Sequence, residues 1–135
     1  MSDLSTERPV RENSSWPEGL TRVPYWVFQR EDVHRLEQDR LFQGECWNYL
    51  CLEADIVEPG DYRTSFVGDM PVIVARDSDS QLHAFENRCA HRGALLAFDE
   101  TGNTKMFSCV YHGWCHSLQG DLMSVTFKDG VKGRP

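Results

Sequence analysis

Two short stretches carry the residue types that do chemistry. In Asn87-Arg88-Cys89-Ala90-His91-Arg92-Gly93 a cysteine and a histidine stand one residue apart. In Cys109-Val110-Tyr111-His112-Gly113-Trp114 two residues separate them, and seventeen residues separate His91 from Cys109. Thiolate and imidazole are both metal ligands, so two Cys/His boxes at this separation describe a metal site built from two loops.

Structural zinc takes such ligands in a tetrahedron, but its spacings run C-x2-4-C and H-x3-5-H, one ligand type to a box. Here each box mixes the two. That mixture fits a Rieske [2Fe-2S] centre better, in which two thiolates hold one iron and two imidazoles the other. Cys89 and Cys109 would then share one iron, and His91 and His112 the second. Gly93 and Gly113 follow their boxes closely, and glycine permits the tight turns that aim backbone N–H groups at sulfur. Zinc stays open as the lesser alternative.

The chain has 135 residues, enough for one domain with one modest core. A net charge of -7 argues against nucleic acid or an anionic membrane as partner. No apolar run is long enough to span a bilayer and the N-terminus has no signal core, which is read as cytoplasmic. Five cysteines in that compartment are expected reduced or metal-bound.

The elements that would position the boxes are short. Residues 1–22 read as a flexible arm, rich in Ser, Glu, Arg and Pro. Residues 23–45 form a helical segment, with a helix over 31–45 started by Glu31 and Asp32 and ended by Gly44. From Cys46 to residue 130 the pattern predicts an all-β domain of small antiparallel sheets with two cluster-binding loops. Its strands are Trp47–Leu52, Tyr62–Val67, Val72–Ala75, Gln81–Phe85, Met106–Val110 and Trp114–Leu118. Turns fall at 58–61, Gly68-Asp69, 77–80 and 119–121. Residues 131–135 read as the start of a linker.

With these residues in place, the chain resembles the N-terminal part of the large (alpha) subunit of Rieske non-haem iron aromatic-ring-hydroxylating dioxygenases, over roughly residues 23–135. The two boxes carry the likeness, with Gly120-Asp121-Leu122, Trp47-Asn48-Tyr49, Gly60-Asp61 and Phe85-Glu86-Asn87-Arg88. It is most similar in appearance to the aromatic-carboxylate members, the terephthalate, salicylate, anthranilate and halobenzoate systems. The resemblance implies an electron-transfer domain fed by a ferredoxin or a flavin/iron-sulfur reductase. It would serve a mononuclear Fe(II) in a catalytic domain, in a trimer of alpha subunits with or without a beta subunit. His34, His83 and His116 supply no further ligand pair, so the expectation is a chain ending before that domain and unable to hydroxylate by itself. A free-standing Rieske ferredoxin is the alternative, and a zinc-stabilised binding module the remaining one.

The resemblance also implies departures from the respiratory Rieske proteins. Ala94 and Tyr111 stand where those carry an extra disulfide pair, and Gly113 where they tend to carry serine. Without that hydroxyl near the sulfurs the potential is expected at the low end of the Rieske span, about -150 mV. The spare cysteines, Cys46, Cys51 and Cys115, are read as small buried hydrophobes. His116 is read as a packing or surface residue. Trp114 is read as packing behind the cluster, with a direct electron-transfer role as the lesser option.

Overall fold

The computed structural model describes residues 22–127. All but the last residue of the arm expected over 1–22, and the linker over 131–135, lie outside these residues. The chain divides into two compact units between Cys46 and Trp47.

In the first unit a 3-10 turn, Tyr25–Phe28, precedes helix α1, Glu31–Glu37. Glu31 and Asp32 occupy its first turn, where carboxylates complement the helix dipole. The helix is shorter than the expected 31–45. After Glu37 the backbone widens into a π turn over Gln38–Phe42, closed by the Gln43 amide on the Gln38 carbonyl at 2.8 Å. Gly44 has no room for a side chain, since a Cβ there would lie 2.3 Å from the Arg40 carbonyl oxygen.

The second unit is mostly β. The expected strand Trp47–Leu52 does not form. Trp47, Tyr49 and Leu52 are exposed and Asn48, Leu50 and Cys51 partly buried. A 3-10 turn, Glu53–Asp55, follows. Strands β1 (Asp61–Val67), β2 (Met70–Arg76) and β3 (Leu82–Glu86) then run antiparallel in succession. β4 (Thr101–Asn103) adds to the free edge of β1, giving the order β3-β2-β1-β4. The second sheet is β5 (Phe107–Ser108), β6 (Cys115–His116) and β7 (Leu122–Ser124) in sequence order. The strands expected over 106–110 and 114–118 are thus trimmed to two residues each. β4 and β7 were not expected at all.

Local chemistry explains the turns. Gly68 takes a positive φ of 57° between Val67 and Met70, which pair across the two-residue hairpin. Asp77 organises the next turn, its Oδ1 accepting the amides of Asp79 and Gln81 at 2.9 and 2.8 Å. β2 is central and its hydrophobic run is continuous. Val72, Ile73, Val74 and Ala75 are all buried, as a strand covered on both faces requires.

Ile73 and Ala75 join Leu96, Ala97, Phe107, Cys89 and Cys109 in one core cluster that links the two sheets. Phe107 sits at its middle, edge-on to Tyr62 at 5.2 Å and to Phe85 at 5.7 Å between ring centroids. Arg76 is also buried. Its guanidinium donates to the carbonyls of Ile56 and Ser80 and pairs with Glu53 at 2.9 Å, so the charge is fully engaged.

Candidate metal centre

The first box lies in the loop between β3 and β4, the second in the connection between β5 and β6. The two loops share one backbone plan. The Cys89 amide donates to the Ala94 carbonyl at 2.7 Å, and the Cys109 amide to the Trp114 carbonyl at 2.8 Å. Gly93 and Gly113, each four residues past its cysteine, donate back to that cysteine's carbonyl at 2.9 Å. Both glycines have positive φ, 71° and 68°, the left-handed bend that closes so short a loop.

This closure turns backbone amides inward onto sulfur. The N–H groups of His91 and Arg92 point at the Cys89 thiol, and those of Tyr111 and His112 at the Cys109 thiol. The two thiols are buried and hydrogen-bonded to each other. Burial pushes the Cys89 thiol up, with the neighbouring Cys109 adding to the rise. Burial works the same way on Cys109, but the amides of Tyr111 and His112 and the Cys89 thiol outweigh it and hold Cys109 below its ordinary value.

The two imidazoles meet each other. The rings of His91 and His112 lie 4.6 Å apart at 70°. His112 Nδ1 is buried and has no hydrogen-bond partner. A buried ring nitrogen without a partner is costly unless something binds it, and a metal is one such occupant. Burial first, then the nearby His112 and Arg92, lowers the pKa of His91 and keeps its ring neutral, the ligating form. Among the described residues no three His, Cys, Asp or Glu side chains converge as a single-ion site. The donors fall into a sulfur pair and a nitrogen pair. Two thiols and two imidazoles grouped by type suit a mixed-ligand [2Fe-2S] group, which these four side chains would hold, better than tetrahedral zinc.

The second box also supports the first. The Trp114 ring stacks on His91 at 4.6 Å and 14°. Tyr111 leans on His112 at 4.0 Å and 42°. At the base of the first loop Asn87 is buried, and its side chain binds Leu96 and Ala97. Asn87 was visible in the sequence only as a flanking residue. A lone amide side chain between Phe85 and Cys89 was the whole of its signal.

The remaining histidines have other surroundings. His34 is exposed on α1, and His83 on β3 bonds to Asp77 at 2.7 Å. His116 is buried opposite Phe107, so it is a packing residue, although its Nε2 has no partner. The spare cysteines correct the expectation of burial. Cys46 is exposed, while Cys51 and Cys115 are only partly buried. Cys115 lies against Ser108, 3.2 Å from its Oγ.

Residues 46–134 match the Rieske [2Fe-2S] domain, and the chain belongs to that family. The alpha 2 subunit of the terminal oxygenase component of terephthalate 1,2-dioxygenase from a Comamonas species is 52% identical over 84% of this chain and 28% of its own length. The large oxygenase component of salicylate 5-hydroxylase from a Ralstonia species is 44% identical over 98% of this chain and 32% of its own. Among solved structures, naphthalene 1,2-dioxygenase from a Rhodococcus species bound to indole superposes with a TM-score of 0.71 at 38% identity, over 79% of this chain and 24% of that one. The chain thus spans about a third or less of the length of the relatives it matches.

Proposed function

We propose that this chain is the electron-entry domain of an aromatic-ring-hydroxylating oxygenase alpha subunit, with Cys89 and Cys109 on one iron and His91 and His112 on the other. The observation that carries the ligand set is the meeting of two like-built loops. Each aims two backbone amides at its own buried thiol, and between them they set two imidazoles 4.6 Å apart. A bound [2Fe-2S] group supplies one-electron chemistry. The chain's own residues hold the two sulfurs in a buried interior, favour the neutral form of His91, and leave both imidazoles only partly covered.

In this reading the domain receives electrons from a ferredoxin or a flavin/iron-sulfur reductase and passes them to a mononuclear iron in the remainder of the protein. The names of the relatives support an aromatic carboxylic acid as the substrate that is hydroxylated. A trimer of alpha subunits, alone or with a beta subunit, belongs to the same reading. So does a cytoplasmic setting, with which the described residues agree in having no helix long and apolar enough to cross a membrane.

The test is metal and sulfide analysis with EPR on anaerobically purified protein. About two irons and two sulfides per chain are expected, with the low average g value of mixed sulfur and imidazole ligation when reduced. Stoichiometric zinc in a colourless protein would overturn the ligand assignment. Electron acceptance from a matched reductase, without hydroxylation of benzoate-type acids unless the domain is joined to a relative's catalytic domain, tests the second half. Hydroxylation by the 135-residue chain alone would overturn that half.

A further inference from the structure

The two loops share a backbone plan but not a side-chain plan. Trp114 and Ala94 hold equivalent places, each five residues past a cysteine whose amide its carbonyl accepts. Only Trp114 carries a ring, and that ring reaches across to the other loop and lies nearly flat on His91, 4.6 Å away and 14° from parallel. Nothing comparable comes from Ala94 toward His112. That imidazole is touched instead by its sequence neighbour Tyr111, tilted at 42°. Trp114 is itself anchored, partly buried against the core that contains both cysteines.

We infer that Trp114 is the positioning residue for His91. Its indole face fixes the plane of that imidazole and seals one side of it from water, while its carbonyl closes the loop that holds Cys109. An imidazole has one free torsion about its Cβ–Cγ bond that the backbone does not control, and a stacked ring removes it. Excluding water from one face of a ligand also disfavours the added charge of reduction, so the stack holds the potential down. This inference rests on His91 being an iron ligand.

The experiment compares Trp114→Phe, Trp114→Leu and the parent chain, all loaded with iron and sulfide. Leucine keeps much of the apolar volume without a stacking face. The readouts are iron content, the hyperfine couplings of the two ligating histidines, and the midpoint potential. In the parent and in Trp114→Phe, two distinct and narrow histidine couplings are expected. In Trp114→Leu one of the two, the His91 coupling assigned by selective labelling, should broaden or shift while the His112 coupling stays put. The potential of the leucine variant should rise, and that of the phenylalanine variant should stay near the parent value.

Equal couplings and equal potentials in the leucine and phenylalanine variants, both fully loaded, would overturn the positioning role. A change confined to His112 would overturn it too. Absence of histidine coupling in the parent would instead overturn the ligand set. Should the leucine variant not load, Trp114→Tyr against Trp114→Phe keeps the comparison open, because both preserve the stack and both must preserve the His91 coupling.

Discussion

Asn87 holds Ala97 by both of its backbone groups. The Asn87 Nδ2 donates to the Ala97 carbonyl at 2.8 Å, and the Oδ1 accepts the Ala97 amide at 3.0 Å. The same Oδ1 takes the Leu96 amide at 2.9 Å. The first cluster loop is thereby tied shut at its base by one buried side chain.

Asn87→Ala should leave two amides and a carbonyl without partners in a buried place. An unpaired buried polar group costs about 1–3 kcal/mol. A loss of roughly 3 kcal/mol is therefore expected in chemical denaturation, together with faster iron release to a chelator. A variant within about 0.5 kcal/mol of the parent, the range of ordinary surface changes, would show that the tie is not structural.

The glycines separate strain from crowding. Gly93→Ala adds a Cβ at a φ of +71° with no atom nearer than 3.9 Å. Its cost should be that of a left-handed alanine, about 1–2 kcal/mol. Gly120→Ala faces the same strain at φ +92°, and its Cβ would also lie 2.7 Å from Phe85 Cγ. Overpacking adds about 1–3 kcal/mol. Denaturation midpoints should rank Gly120→Ala below Gly93→Ala, and the reverse order would refute the account of Gly120.

Among the histidines, His91→Ala and His112→Ala should abolish the native visible and EPR spectra. His34→Ala and His83→Ala should leave both intact, because His34 is an exposed residue of α1 and His83 is engaged by Asp77. His116→Ala should keep the spectrum and lose stability, since it opens a cavity opposite Phe107. Loss of the cluster in His116→Ala with retention in His112→Ala would reassign the second nitrogen ligand.

Asp77 supplies the acid dependence. Four groups lower its pKa, first the Gln81 amide, then His83, Gln119 and the Asp79 amide, with burial acting in opposition, and it falls from 3.8 to about 2. A depressed carboxylate stabilises the fold fully above its unfolded pKa and loses that contribution as pH falls through the folded one. The stability gap between the parent and Asp77→Asn should hold constant above about pH 4 and close between about pH 4 and 2. Paired denaturant titrations at matched pH would show it. A gap that instead opened on acidification would contradict the depressed pKa.

The chemistry was more legible than the architecture. Cysteine, histidine and glycine at these offsets mark the boxes because few other residues can ligate metal or bend left-handed. The hairpin turns at Gly68 and Asp77 were legible for the same reason, as local chemistry. The strand expected over 47–52 failed because an aromatic and aliphatic run does not say whether another strand lies beside it, and none pairs with these residues. β4 could not be seen in Thr101-Gly102-Asn103, which has little strand propensity. It pairs because Tyr62 lies over Gly102, where a Cβ would fall 2.7 Å from the ring. The Trp114–His91 stack joins two loops distant in sequence, and no local pattern encodes it.

The thiols of Cys89 and Cys109 are two of the seven buried members of the core. On the proposed ligand set, cargo and foundation are therefore the same material. Oxidative stripping of iron would leave two reactive sulfurs in the middle of the packing instead of an empty cup at the rim, so damage would reach the whole domain at once. A cell that degrades loosened chains would then clear inactive copies without a dedicated sensor. Faster proteolysis of iron-stripped than of loaded protein is the sign to look for.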